Sequence, residues 1–326
     1  MTDDWLIVET LASDTRTVIA DGGKIKDWGS LARARPYGAT ASARMFAVVD
    51  ACATTGIEQH GEVAATRSRT SLQVLAIPVL AAFDVVNAVH LWIGPDDVMP
   101  PPKRIVTAWH FDVDEEINYA GPENYEDLIQ HMPVELRRDR RSAADNFQHI
   151  LRFDDRVGYV GMVSNIEGGG SWQGKIVMAA FDNTPRHLQM VARADQNARI
   201  ARGLFHDISD VDPPEPHVDN AALRLVAVAT GIGTGAIDLN TAVIYDWFST
   251  PTGPLARWQR ENPEIEPTDQ QILAAACKRL ETTGERESLV IRVRFDDTDW
   301  IATDVEITAL NRDRAPQGLI QVSPRN

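Results

Sequence analysis

Asn220-Ala-Ala-Leu-Arg-Leu-Val-Ala-Val-Ala-Thr-Gly-Ile-Gly-Thr-Gly-Ala-Ile-Asp-Leu-Asn-Thr-Ala-Val-Ile-Tyr-Asp-Trp-Phe248 is the stretch on which the fold class turns. Ala222, Leu225, Val226 and Ala229 recur at helical spacing, which predicts a short amphipathic helix. Gly231, Gly233 and Gly235 predict its end, since glycine is the usual residue where a helix stops in a left-handed conformation. Beyond them Ala236–Leu239 and Ala242–Tyr245 read as two short strands about a turn at Asn240-Thr241. A helix, a break and a hairpin point to an α+β domain built on a small antiparallel sheet.

Downstream, Pro254–Trp258 reads as a helical turn and Asp269–Thr282 as a helix. Alternation then predicts strands through Leu289–Phe295, Ile301–Ile307 and Leu319–Val322, a meander with one wet face. These elements make a domain of residues 218–326. Upstream, His206–His217 is acidic and carries three prolines, so residues 206–217 read as a linker. A middle domain, 103–205, begins with Trp109, Phe111 and Val113 alternating with His110 and Asp112, and Ile117–Tyr119 returns beside them. Glu123–Met132 and Glu135–Leu151 read as helices, and Val157–Ile166 and Lys175–Phe181 as strands around Gly168-Gly169-Gly170. His187–Arg193 reads as the last strand, and Asp195–Phe205 as a capped exit helix. The first domain, 1–102, opens on a hairpin at 5–11 and 17–20. A helix over Thr40–Thr55 follows, with Ala43, Phe46, Ala47, Val49 and Ala53 on its apolar side and Gly56 at its end. Strands at 62–67, 71–80 and 85–93 lead to a linker through Pro95 and Pro100–Pro102.

An internal repeat relates the later domains. At an offset of 126, Asp112 falls on Asp238, Tyr119 on Tyr245, Phe111 on Ile237, Val113 on Leu239 and Ile117 on Val243. At 128, Trp172–Asn183 falls on Trp300–Asn311. A period of domain length predicts two copies of one fold, since a solenoid repeats over far fewer residues.

The formal net charge is −15, from 47 acidic and 32 basic residues. Such a surface repels phosphate backbones and anionic lipid, which argues against nucleic acid and membrane as partners. Acid stands at the N-terminus where a secretion signal needs basic residues, so a cytoplasmic protein is expected. Cys52 and Cys277 sit in apolar helical patterns and read as buried free thiols.

Chemical motifs are weak throughout. Gly231-Ile-Gly-Thr-Gly follows a helix, the reverse of a dinucleotide loop, and Gly168-Gly-Gly-Ser171 lacks the lysine of a phosphate loop. His206, Asp207, Asp210, Asp212 and His217 match no standard metal spacing, and a hydrated linker is the plainer reading. No axial histidine or flavin-reactive cysteine stands in a matching motif, so haem and flavin are not supported and the cofactor is left unknown. Trp109, Phe111, Tyr119, Phe147 and Trp172 either line a small-molecule cavity of the middle domain or form ordinary core, the commoner fate of aromatic residues on strands. Gly235 stands where Trp109 stands in the repeat, so if the middle domain holds a ligand the third is expected to have a different or more open cavity.

Trp5–Leu11, His90–Gly94, Trp109–Tyr119 and Gly231–Trp247 together carry a resemblance. The first domain resembles a GAF domain and the later two resemble PAS domains. The whole chain looks like an actinobacterial family of triple sensor-domain proteins that carry no effector domain. The resemblance implies a non-catalytic scaffold or signal integrator that binds small molecules or protein partners, with dimerisation through the exit helix possible and no catalytic residues to carry over. The competing expectation is a hydrolase or transferase with its site in the GAF-like domain.

Overall fold

The computed structural model describes residues 4–12, 16–35, 37–64, 71–215, 232–311 and 315–325. The helix expected over Ala222–Ala229, together with Gly231 and His217, lies outside the described residues. Three antiparallel sheets and few helices make the fold α+β.

The first sheet contains β1 (Leu6–Glu9), β2 (Thr17–Asp21), β3 (Lys24–Ser30), β4 (Gln59–Ala64), β5 (Ser71–Leu80) and β6 (Val86–Pro95), in the order β3-β2-β1-β6-β5-β4. Helices α1 (Leu31–Ala34) and α2 (Ala39–Thr55) connect β3 to β4. The second sheet contains β7 (Val106–Asp112), β8 (Ile117–Ala120), β9 (Arg140–Ser142), β10 (Ile150–Phe153), β11 (Gly170–Ala179), β12 (Pro185–Asp195) and β13 (Ile200–Asp207), in the order β10-β11-β12-β13-β7-β8-β9. Short helices α3 (Tyr125–Leu128), α4 (Ala143–Phe147) and α5 (Arg156–Ser164) lie between β8 and β11. The third sheet contains β14 (Gly233–Asp238), β15 (Ile244–Ser249), β16 (Glu264–Ile265), β17 (Glu287–Arg294), β18 (Ile301–Asn311) and β19 (Gln317–Pro324), in the order β15-β14-β19-β18-β17-β16. Helix α6 (Pro267–Thr283) precedes β17.

One strand order recurs in all three. The runs β2-β1-β6-β5-β4, β8-β7-β13-β12-β11 and β15-β14-β19-β18-β17 each place a hairpin beside the last strand, followed by a meander back through the chain. A helical segment crosses from one side of the sheet to the other each time. The 126 offset brings β7 onto β14, its equivalent. The 128 offset does not: it lays β11 on β18, whereas β11 holds the place of β17 and β12 that of β18.

The repeated aspartates explain why the first match works. Asp112 Oδ1 accepts hydrogen bonds from the Asp114 and Glu115 amides, both at 2.9 Å. Asp238 Oδ1 accepts from the Asn240 and Thr241 amides at 2.8 and 3.0 Å. Each carboxylate folds the chain back at the end of its strand by occupying amides that the ladder leaves open.

Several expected elements are different. Glu135–Leu151 is not one helix: it divides into β9, α4 and β10, with Ser142 capping α4 by accepting from the Asp145 amide at 3.2 Å. Val157–Ile166 is the helix α5 in its first part, capped by Asp155 through the Gly158 amide at 3.1 Å. The exit helix Asp195–Phe205 is a turn and a strand. Asp195 takes the Asn197 and Ala198 amides at 3.2 Å, Arg199 adopts φ 53°, and β13 returns along β12 from Ile200 opposite Asp195. An Asx turn and a helix N-cap use the same side-chain chemistry, which is why Asp195 misleads. The residue range given to a linker begins inside this strand, since His206 and Asp207 are its buried last residues. Gly233 and Gly235 are strand residues rather than a helix break.

Helix α2 forms as expected and ends at Gly56 in the left-handed conformation, but its buried side is Ala41, Ser42, Met45, Val48, Val49 and Cys52, with Ala43 and Ala47 exposed. Both cysteines are buried free thiols, and burial pushes each up to about 12.

Contacts divide the chain into two compact units: Met1–Phe111, Tyr119–Asp139 and Gln173–Pro214; and Asp112–Asn118, Arg140–Trp172 and Glu215–Asn326. In the first unit one face of the first sheet packs on α2 through Leu6, Val8, Val18, Met45 and Val49. Its other face meets β7, β12 and β13 through a thin layer of Ile7, Ala20, Ala88, Ala108, Val191 and Leu204. Small residues there let the two sheets approach, and buried polar side chains stitch them. Asn87 donates to the Trp109 and Gly203 carbonyls at 3.0 and 3.2 Å, and Gln189 donates to the Ile19 carbonyl at 2.9 Å. In the second unit α6 covers the third sheet through Leu273, Cys277 and Leu280 against Ile291, Val305 and Ile320, and Ala144 joins the same core.

Candidate ligand site

Among the described residues of the first unit an open, solvent-facing cavity of about 750 Å3 is formed. It lies at the end of the paired sheets where β1, β7 and β12 begin and β6 and β13 end. Its wall is built from Asp4, from the connection Met99–Ile105, from Arg186, and from Asp207, Ser209 and Asp210. The prolines of this connection keep it extended, and Trp5 anchors it by donating from Nε1 to the Pro101 carbonyl at 2.8 Å. Met99 stands 88 % exposed at the rim, beside Pro101, Pro102 and Ile105.

Charge in the wall is arranged in two ways. Arg104 grips Asp210, with Nη1 at 2.9 Å from Oδ2, and its Nη2 also donates to the Asp207 carbonyl at 3.1 Å. This bonding holds the Asp210 carboxyl below the usual carboxylate range. Asp207 Oδ1 accepts from the Ser209 amide at 2.9 Å and its hydroxyl at 2.6 Å. Lys103 and Arg186 are held more loosely: Lys103 Nζ is 3.9 Å from Glu123, and Arg186 Nη1 is 3.7 Å from Asp207.

Two buried histidines lie in the same unit, each coupled to the charge of a wall residue. His206 Nδ1 is 3.0 Å from Gln189 Oε1, and the His90 ring meets Trp5 edge-on at 5.9 Å. Burial first, then the charge of Lys103, pushes His90 down to about 3. Burial, then Arg104 and His90, does the same to His206. Both rings are therefore neutral at neutral pH.

The five aromatic candidates fall into different units. Trp109, Phe111 and Tyr119 belong to the first. Trp109 is 1 % exposed and packs on Phe205, while Tyr119 packs on Phe83 and His110. Phe147 and Trp172 belong to the second, joined through Phe153 and Tyr159 in a cluster with centroids 5.3 to 6.3 Å apart. Tyr245 closes on Phe147 at 5.5 Å, and Arg156 pairs with buried Asp246 at 2.7 Å. Trp109, Phe147 and Trp172 are buried, whereas Phe111 and Tyr119 are half-buried. The opening expected at Gly235 is filled: the indole of Trp247 lies over it. In the linker candidates, Asp207 and Asp210 are engaged as above and Asp212 pairs with Lys175 at 2.7 Å. Among the described residues no group of three or more His, Cys, Asp or Glu side chains gathers to hold a metal ion.

Lys103, Arg104 and Arg186 were missed by sequence reasoning because Arg186 stands more than eighty residues along the chain from the adjacent pair Lys103 and Arg104. The signal present was the proline-bearing connection, read only as a linker.

Residues 4–102 match the Rv3651-like, N-terminal family. A crystal structure of an uncharacterised protein from Mycobacterium tuberculosis is similar over 100 % of this chain and 97 % of that one, at 22 % identity and a TM-score of 0.76, and so shares the fold. An RNA-binding light-oxygen-voltage receptor, at 9 % identity, covers 67 % of this chain and 95 % of that chain with a TM-score of 0.27. A methyl-accepting chemotaxis protein X, at 16 % identity, covers 53 % and 57 % with a TM-score of 0.21. Neither of these two carries weight at such scores. No curated protein matches the chain.

Proposed function

We propose that this chain is a non-catalytic sensor and scaffold, one GAF-like and two PAS-like sheets in tandem, whose first unit takes a small molecule. The observation that carries the reading is the recurrence of one five-strand order in all three sheets, with a helical crossover in each. An opening hairpin, helices and then three antiparallel strands is the arrangement the PAS resemblance implies, and the recurrence supports it. The cavity gives the reading a place to bind: its volume falls within the range of about 300–1,000 Å3 typical of small-molecule sites. Its wall includes the ends of β12 and β13, so a ligand that prefers one setting of these strands shifts the unit by its differential affinity. A protein partner then reads the shifted surface.

A thermal-shift screen of a metabolite library, with mass analysis of each hit after incubation, tests this. Expected are compounds that raise the melting temperature and come back chemically unchanged. A hit returned as a product, with turnover, overturns the non-catalytic reading.

A further inference from the structure

We infer that the cavity of the first unit is a site for an amphipathic anion, its acidic head held by Lys103 and Arg186 and its hydrocarbon body laid along Met99, Pro101, Pro102 and Ile105. The inference rests on the ligand-binding reading above and names the class of ligand.

The wall holds three cations and three carboxylates, so a simple count of charge decides nothing. What decides is which charges are already used. Asp210 is taken by Arg104, and Arg104 in turn is taken by Asp210 and by the Asp207 carbonyl. Asp207 is engaged by the amide and hydroxyl of Ser209. Asp4 Oδ1 accepts from the Trp5 amide at 2.8 Å. Lys103 and Arg186 differ: their acidic partners stand at 3.9 and 3.7 Å, beyond hydrogen-bonding distance. Arg186 gives Nη2 to His131 Nε2 at 3.0 Å, which uses one of its five donors. A carboxylate or similar acid entering the cavity therefore meets an ammonium and a guanidinium with donors to spare, and charge-assisted bonds of this kind are the strong ones. A cationic head finds Asp210 taken on both oxygens by Arg104, and Asp4 and Asp207 each already accepting on one oxygen. Four apolar side chains on one connection supply the surface that a polar anion, such as inorganic phosphate, has no use for.

Titration calorimetry on the full chain at 50 mM salt tests the assignment with three probes of one length: decanoate, decylamine and decanol, each below its aggregation concentration. Decanoate is expected to bind at one site, with decylamine at least tenfold weaker. Lys103→Gln with Arg186→Gln is expected to weaken decanoate tenfold or more and to leave decanol unchanged. Met99→Asp, at an exposed position where folding is not at stake, is expected to weaken decanoate and decanol together. An unchanged decanoate affinity in the double variant, with a normal melting temperature, overturns the inference. Should the double variant not fold, Lys103→Gln alone is read by the same criterion. If decanol or decylamine binds and decanoate does not, the anionic assignment falls while the ligand-binding reading stands. Silence from all three probes overturns the inference, and absence of hits in the metabolite screen then removes the reading beneath it.

Discussion

At the scale of single residues, tryptophan and glycine are paired across neighbouring strands. A Cβ on Gly203 of β13 would stand 2.0 Å from Cζ2 of Trp109 on β7, and one on Gly235 of β14 would stand 2.5 Å from the Asp246 carbonyl and 3.0 Å from the Trp247 ring. In one sheet the first strand carries the ring and its neighbour the glycine; in the other sheet the roles are reversed. The glycines are there because an indole lies on the backbone, so the property in use is the missing Cβ. Trp109 is buried. Gly203→Ala is expected to lower stability by about 1–3 kcal/mol, the usual cost of overpacking. Gly29→Ala, whose Cβ meets nothing nearer than 3.4 Å, is the control and is expected to change stability by less than about 1 kcal/mol. Urea denaturation of both variants reads the difference. Equal losses would remove the contact with the indole as the cause.

At the scale of elements, the hairpins opening the later two sheets show what is legible in a sequence. A carboxylate that closes a turn acts on amides two and three residues away, so Asp112 and Asp238 were visible as a repeat without any knowledge of the fold. Amphipathic α6 and the strands β17, β18 and β19 were equally plain, because burial in each follows the period of its own element. Where reading failed, the deciding interaction lay outside the window. Asp195 serves a turn whose outcome depends on β12 offering a ladder to β13. The segment Glu135–Leu151 is broken where Ser142 caps α4 and β9 runs before it, and not by any glycine or proline. The cavity was hidden for the same reason, since Arg186 meets Asp207 only after β12 and β13 pair. The two hairpin aspartates also allow a graded test. Asp238 is buried and additionally accepts from the Ser164 hydroxyl, whereas Asp112 is only partly buried and serves its turn amides. Asp238→Ala is expected to cost about 2–3 kcal/mol and Asp112→Ala about 1 kcal/mol, since the former also loses the Ser164 hydroxyl at a buried position. Asp238→Asn, which keeps an acceptor oxygen, is expected to recover at least half of the loss. Equal losses at the two sites in urea denaturation would show that the turn alone matters.

At the scale of the whole molecule, two opposite pH effects compete. A formal charge of −15 makes the folded chain repel itself, and acidification relieves that repulsion as carboxylates protonate. The buried histidines act the other way. Both are pushed from 6.5 down to about 3 in the folded chain. Between those values the unfolded chain binds protons that the native chain refuses, so stability rises with pH through this window and is lost as pH falls below 6.5. With both rings contributing, the slope reaches up to about 2.7 kcal/mol per pH unit, twice the ~1.36 kcal/mol that one proton supplies. Surface repulsion is spread over a large area and screened within about 10 Å at 0.1 M salt, whereas the histidine effect is set by burial and is insensitive to salt. The histidine effect is therefore expected to win: urea midpoints should fall steadily from pH 6.5 to pH 4, equally at 150 and 500 mM salt. His206→Gln, which keeps a hydrogen-bonding group opposite Gln189 and cannot titrate, is expected to halve the slope. A flat profile in the parent chain would mean that protons reach these rings without unfolding, and an unchanged slope in His206→Gln would mean that other groups carry the loss.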